Sequence, residues 1–413
     1  MLASREAQLL AGYGDNVRDR FRDWTEETET YLLEVIFGDR PGRKANAIRR
    51  VLLFLSHIFA GIVKLRRMLY DARVFRDATL GVQVIAVGNL TVGGTGKTPV
   101  VEKFARALQD AGRRVAILSR GYRSKPKPLW ERMVDRLLLR RDTTPPRIVS
   151  DGRALLLDSE TAGDEPFMLA SNLKDVIVLV DKDRVKSGRF AVEHFGCDTL
   201  LLDDGFQYWR LAGRRTDVVL VDSQQPFGNE FLLPRGTLRE PPKHLARAKV
   251  IFLTKVDRST PANSARINAL RERIGTLNNK AELIECVHSP LYFEDVFTGA
   301  RHGMDLVKGR RVGTLTGIAQ PKSFDDKLEE LGAKVVMSRS FADHHRFSQK
   351  EVLDALNRAV IRRADMLLTT QKDAVRFPKL DRRDVPVYFM RVEIKIMAGA
   401  EGFDDAVRRI CFK

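Results

Sequence analysis

Runs of β-branched and aliphatic residues punctuate the chain from residue 82 onward: VQVIAV at 82–87, RVAIL at 114–118, VIVLV at 176–180, TLLL at 199–202, VVLV at 218–221 and VIFL at 250–253. Such continuous apolar runs, without alternation, suit strands buried on both faces of a parallel sheet. Between most of them lie segments with helical apolar spacing, the first being PVVEKFARALQDA at 99–111. Strand and helix in alternation predict an α/β fold with a doubly wound, mostly parallel sheet. Functional side chains of such sheets gather beyond the carboxyl ends of the strands.

One apolar run differs. VLLFLSHIFAGIV at 51–63 is flanked by Arg43, Lys44, Arg49 and Arg50 before it and by Lys64, Arg66 and Arg67 after it. It is shorter than the ~20 residues a helix needs to cross a bilayer. Its arrangement predicts a helix lying in the headgroup layer, with its cations against anionic lipid; a buried core helix with solvated ends is the alternative. The N-terminus carries charge where a secretory signal would be apolar, so export is not expected.

Length and composition add bounds. A chain of 413 residues with 44% apolar content accommodates two or three domains with a sizeable core. Lys plus Arg exceed Asp plus Glu by 71 to 54, a net charge of +17, which points to anionic partners: nucleotide phosphates, nucleic acid or an acidic membrane face. The three cysteines, Cys197, Cys286 and Cys411, have neither zinc spacing nor a disulfide framework and read as packing residues of a reducing compartment.

Between the first strand and its helix stands Gly88-Asn-Leu-Thr-Val-Gly-Gly-Thr-Gly-Lys-Thr98. Strand, glycine-rich loop, Lys-Thr pair and helix in this order are the context of a phosphate-binding loop. Without side chains in the way, successive backbone N–H groups can face phosphate oxygens, and the positive end of the following helix favours the anion. Thr91, Val92, Gly93, Gly94, Thr95, Gly96, Lys97 and Thr98 are therefore the candidate nucleotide-binding residues. Lys97 would reach the β- and γ-phosphates and the Thr98 hydroxyl would join a Mg²⁺ shell. Thr91 occupies a position where the full pattern asks for glycine, so the loop is a variant.

Asp203 and Asp204 end the strand at 199–202, as a metal-holding carboxylate does in a nucleotide-binding fold; Asp-Asp-Gly is also a good turn. Asp164 precedes a helix-like segment and could merely cap it, with Pro166 in the first turn. The adjacent His344 and His345 stand in a loop before a helix beginning near Ser348.

These residues, with Arg67-Met-Leu-Tyr-Asp71, VGNLTVGGTGKTP at 87–99, Leu118-Ser-Arg-Gly-Tyr-Arg123, Gly163-Asp-Glu-Pro166, Asp183-Arg184, Leu202-Asp-Asp-Gly-Phe-Gln207, Leu233-Pro-Arg-Gly-Thr-Leu-Arg-Glu-Pro241, Asp343-His344 and Thr370-Gln-Lys-Asp373, make the chain resemble the tetraacyldisaccharide 4′-kinase family over residues 45–413. Residues 1–42 and the basic segment 123–158 lie beyond that resemblance.

The resemblance implies transfer of the ATP γ-phosphate to the 4′-hydroxyl of a tetraacylated glucosamine disaccharide 1-phosphate, giving lipid IVA in lipid A biosynthesis. It implies Mg²⁺, a peripheral location at the cytoplasmic face of the bacterial inner membrane, and no obligate protein partner. It also implies a P-loop NTPase-like core, a second, smaller α/β lobe joined by a β-linker, and a membrane-seated N-terminal helix. We place these at 81–290, 291–413 and 1–80. By motif match, Asp164, His344 and Lys97 are the catalytic candidates, Thr98, Asp203 and Asp204 the metal candidates, and Arg184, Gln207 and Arg239 the substrate candidates.

Two other functions compete. Leu253-Thr-Lys-Val-Asp257 resembles a guanine-reading motif, which would make the chain a GTPase, and the basic surplus could serve nucleic acid. No zinc ligands and no basic stripe interleaved with stacking aromatics accompany that surplus, so nucleic acid is not an expected partner.

Overall fold

The run at 82–87 becomes β1 (Gln83–Asn89), buried at all but its first residue, and the segment after the glycine-rich loop becomes α1 of the core (Lys97–Asp110). The structure is a computed structural model that describes residues 31–38, 40–121, 144–378, 380, 382 and 384–412. Most of the N-terminal extension and part of the basic segment 123–158 thus lie outside the described residues.

The chain divides into two compact units. The larger comprises Phe75–Asn89, Gly94–Gln224 and Lys243–Lys413. Its further elements in chain order are β2 (Val115–Ser119), β3 (Arg147–Asp151), α2 (Asp164–Asn172), β4 (Ile177–Val180), α3 (Arg184–Phe195), β5 (Thr199–Leu202), β6 (Arg214–Asp222), β7 (Val250–Thr254), α4 (Pro261–Leu277) and β8 (Glu282–Asp295). Then come β9 (Arg301–His302), β10 (Arg311–Thr316), α5 (Pro321–Glu330), β11 (Lys334–Ser340), α6 (Gln349–Ile361), β12 (Met366–Thr370), β13 (Val387–Ala398) and α7 (Ala400–Cys411).

One mixed sheet runs through the unit in the order β11-β10-β12-β13-β8-β7-β6-β1-β5-β2-β4-β3, with β9 paired to β8. Most neighbours are parallel; β3 against β4, β9 against β8 and the long β13–β8 pair are antiparallel. The expected α/β class and mostly parallel sheet are therefore present. β1 lies between β5 and β6, so the chain crosses over it on passing from β5 to β6, and ligands of open α/β sheets bind beyond the carboxyl ends of strands at such positions.

α1 is fixed by its apolar face. Phe104 meets Phe252 of β7 and Phe403 of α7 edge-on, with centroids 5.8 and 5.0 Å apart. Val100, Val101, Ala105 and Leu108 fill the same buried cluster, as do Ala406, Val407 and Ile410 of α7. Each fully buried aliphatic or aromatic side chain contributes about 1.5–3 kcal/mol. The helix that follows the glycine-rich loop is thereby anchored to both the middle and the end of the chain. Further along, α6 opens on a capping box, in which Ser348 and Glu351 satisfy each other's backbone N–H groups.

The smaller unit comprises Met1–Val74, Leu90–Gly93 and Gln225–Pro242. Its main element, the helix Arg43–Asp71, extends beyond the apolar run at 51–63 on both sides. Ser56 Oγ donates to Leu232 O at 2.9 Å, and Arg49 Nε donates to Val35 O at 2.9 Å. Val51, Phe54, Ile58, Ile62 and Leu65 are exposed. Their spacing of three and four places them along one stripe of the helix. No helix among the described residues is long and apolar enough to cross a membrane.

Candidate active site

Gly93 and Gly96 adopt positive φ angles of 111° and 76°, and Gly96 is the N-cap of α1. A Cβ on Gly96 would stand 2.5 Å from the His288 ring, so both the backbone angle and the close approach require glycine. Burial first, then the Lys255 ammonium, pushes the His288 pKa down to about 4, leaving a neutral ring beneath the loop. Thr254 Oγ1 donates to Thr95 O at 3.0 Å. Within the smaller unit, Val92 N donates to Thr237 O at 2.8 Å and Thr91 bridges Leu238.

Lys97 turns back over the end of β1. Its Nζ donates to Asn89 Oδ1 at 3.3 Å and stands 3.5 Å from Asp204 Oδ1. Thr98 is buried. The strand ends at Leu202, and Asp204 takes φ 54°, so the two aspartates sit in a turn. Asp203 Oδ2 accepts from Ser119 Oγ at 3.1 Å.

Asp203 Oδ1 is buried with no hydrogen-bond partner. Burial, then the Glu165 and Asp204 charges, push this carboxyl up to about 7 against the opposing pull of Lys97 and Ser119. An unpartnered buried carboxylate oxygen suits a divalent cation, which would relieve its desolvation, but among the described residues no group of three or more His, Cys, Asp or Glu could hold a metal ion, so phosphate oxygens and the Thr98 hydroxyl would have to complete the shell.

Asp164 is the first residue of α2, and Gly163 is the N-cap, with no side-chain capping bond. The carboxylate is therefore not used to cap the helix. Instead, Asp164 Oδ2 accepts from Arg376 Nε at 2.7 Å and faces His344 Nδ1 at 3.5 Å. Arg346 Nη2 stands 3.6 Å from Oδ1. Burial alone would raise the Asp164 pKa, but the bond to His344 and the Arg376 charge outweigh it, so the carboxyl lies below its ordinary value and is ionised at neutral pH. Glu165, its neighbour, lies close enough to act on Asp203. The acidic turn and Asp164 thus belong to one region of the larger unit.

The two adjacent histidines diverge. His344, at φ 64°, is the one that reaches Asp164. His345 stacks on Phe341 with centroids 4.5 Å apart and bonds Glu351 at 3.1 Å, a packing role.

Among the other candidates, Gln207 Nε2 donates to Asn89 O at 2.9 Å. Arg184 is buried with its guanidinium 4.8 Å from the Tyr208 ring centroid. Burial lowers its pKa, and its Nε has no partner. Arg239 belongs to the smaller unit, where its N–H donates to Leu90 O at 2.7 Å. Asp257, the residue that would read a guanine, instead accepts from Ser259 N at 2.8 Å and Asn263 Nδ2 at 2.6 Å.

Sequence reasoning passed over Ser119, Asn89 and Arg376, each of which touches a candidate residue. Arg376 follows Asp373 at helical spacing, i and i+3, and that was the available signal.

The family model described as tetraacyldisaccharide-1-P 4′-kinase matches residues 48–411. A tetraacyldisaccharide 4′-kinase of Anaeromyxobacter dehalogenans (strain 2CP-C) is 40% identical over 382 residues, which is 91% of this chain and 94% of that protein. One from Syntrophus aciditrophicus (strain SB) is 36% identical over 92% of this chain and 95% of its own length. The crystal structure of LpxK from Aquifex aeolicus in complex with ATP is similar with a TM-score of 0.67 and 29% identity, covering 88% of this chain and 100% of that one. The chain belongs to the tetraacyldisaccharide-1-P 4′-kinase family and is a kinase.

Proposed function

We propose that this chain transfers the γ-phosphate of ATP to the 4′-hydroxyl of a tetraacylated disaccharide 1-phosphate, forming lipid IVA, and that it does so as a peripheral protein on the cytoplasmic face of the inner membrane. The observation that carries the reading is the meeting of Asp164 and His344, residues 180 positions apart, at 3.5 Å.

The acceptor hydroxyl must lose a proton as the new P–O bond forms. Asp164 Oδ2 is held by Arg376 and His344, which leaves Oδ1 as the oxygen to take it. In phosphoryl transfer most of the work is positioning and charge neutralisation. Lys97 faces the β- and γ-phosphates, and the backbone of 91–98 cradles the triphosphate as a P-loop. Thr98, Asp203 and Asp204 would hold Mg²⁺, which would supply charge neutralisation on the phosphate oxygens. Arg184 and Arg239 serve the acidic lipid headgroup, with Gln207 positioning substrate.

The exposed stripe of the helix Arg43–Asp71 supports seating at a lipid surface, with the exposed cations Arg43, Lys44, Arg50 and Lys64 toward anionic headgroups, while Arg67 pairs with Asp71 and Arg49 bonds Val35 O, Arg40 O and Asn46. We assign three functional parts: the helix within 1–80, the kinase core at 81–290 and a second lobe at 291–413.

The test is incubation of the purified protein with labelled ATP, Mg²⁺ and tetraacyldisaccharide 1-phosphate. A doubly phosphorylated lipid that carries the label is expected. ATP hydrolysis without a labelled lipid would contradict the proposal.

A further inference from the structure

The motif Thr370-Gln-Lys-Asp373 has no part in the chemistry described so far, yet its side chains contact both His344 and Arg376, the two residues bonded to Asp164 Oδ2. Thr370 Oγ1 donates to Asp373 Oδ2 at 2.7 Å and accepts from Asp373 N at 3.2 Å, closing a single turn. Asp373 is fully buried and accepts from Arg376 Nη1 at 3.2 Å. Arg376, also buried, donates through Nε to Asp164 Oδ2 at 2.7 Å. Lys372 Nζ bonds Asp343 Oδ1 at 3.1 Å and His344 Nε2 at 3.1 Å.

The turn also holds α2 at both ends. Arg376 grips Asp164, its first residue, while Gln371 Nε2 donates to Oδ1 of Asn172, its last, at 2.7 Å. Ser159 Oγ, just before α2, donates to Val375 O at 2.6 Å. Gln371 is itself bonded by Arg391, which pairs with Glu102 of α1. One short segment therefore ties the proposed base, its histidine and the helix of the glycine-rich loop together.

We infer that the turn at 370–376 is a positioning device for the Asp164–His344 pair, in which Lys372 sets the tautomer of the imidazole and Arg376 sets the orientation of the carboxylate. An ammonium only donates, so Lys372 makes Nε2 the acceptor and leaves the proton on Nδ1, facing Asp164. Arg376 Nη2 also lies 3.3 Å from Nδ1, and a guanidinium likewise only donates, so a neutral ring serves one of the two cations. Lys372 is the closer. The alternative would aim an N–H at an ammonium and deprive the carboxylate of a donor. In this arrangement neither ring nitrogen faces the acceptor hydroxyl as a base, and the proton goes to Asp164 Oδ1.

The inference rests on the proposed function, and the test separates the two. Lys372 is partly exposed, so Lys372→Met should fold; Arg376→Lys keeps the buried charge but cannot bridge two carboxylates as a fork does. ATP affinity, lipid KM and kcat are measured for the full-length variants. The tautomer of His344 is read by nitrogen-15 NMR on histidine-labelled protein, with His344→Ala providing the assignment. We expect Nδ1–H in the wild type, a shift toward Nε2–H in Lys372→Met, and kcat lower by about 10- to 100-fold in both variants, part of what general acid–base catalysis supplies. ATP affinity and lipid KM should stay within about twofold, because a well-positioned base acts on the chemical step.

An Nε2–H wild type, an unchanged kcat in both variants, or a kcat loss matched by lost ATP binding would overturn the inference. If Asp164→Asn and His344→Ala also keep full turnover, the base assignment itself fails and takes this inference with it. If those two are inactive while the Lys372 and Arg376 variants are not, only the positioning role falls.

Discussion

Replacing Gly96 with alanine would place a methyl carbon 2.5 Å from the His288 ring at a residue whose φ is 76°. Two costs follow. The left-handed backbone angle disfavours a residue with a Cβ by about 1–2 kcal/mol. The overlap with the ring adds about 1–3 kcal/mol, as for other overpacked sites. In the free protein the loop can relax away from the ring, and nucleotide binding must then restore the cradle. The sum, about 2–5 kcal/mol, weakens ATP binding by about 30- to 4,000-fold.

The double variant Gly96→Ala/His288→Ala removes the overlap and keeps the backbone strain, so it should recover to within about 5- to 30-fold of wild type. Isothermal titration with a non-hydrolysable ATP analogue, on wild type, both singles and the double, measures the cycle. A Gly96→Ala protein that binds within about twofold of wild type would refute the reasoning. So would a double variant no better than the single.

Changing exposed Phe54, Ile58 and Ile62 to serine should reduce partitioning onto anionic vesicles by at least about 100-fold, since each side chain contributes about 1.5 kcal/mol when sunk in lipid; co-sedimentation unchanged by the substitutions would contradict the interfacial seat. Asp203 has a folded value of about 7 against an ordinary 3.8, so its contribution to stability is complete below the ordinary value and is lost as pH rises through the raised one. In chelator, the unfolding midpoint of wild type should therefore fall relative to that of Asp203→Asn between those limits, and parallel curves for the two proteins would count against the assignment. Ser348→Ala removes one half of the capping box of α6 and should cost about 1 kcal/mol in denaturant unfolding, with the ATP affinity unaltered.

The strands of the core were legible because they are buried on both faces, so that β1, β2, β4, β5 and β7 read as continuous apolar runs. β13 was harder to see: one part alternates between buried and exposed positions, and its long antiparallel partner β8 follows a helix rather than a hairpin turn. The glycine-rich loop was legible as a local signal, since strand, glycines, Lys97 and helix are contiguous. Asp164 was not. By local rules it is a helix cap; the motif match names it as catalytic, and its contacts with His344 and with Arg376, 212 positions later, show a carboxylate engaged elsewhere. Local rules do not choose between His344 and His345; the Asp-His motif match selects His344, and the loop turns that ring, not its neighbour's, toward Asp164.

Rapid-quench single-turnover kinetics of Asp164→Asn, with ATP, Mg²⁺ and acylated disaccharide 1-phosphate all saturating, test the central claim most directly. The account predicts a transfer rate reduced by about 10²- to 10⁴-fold, the usual contribution of a positioned base, at an ATP affinity within about twofold of wild type. Transfer at the wild-type rate would contradict it.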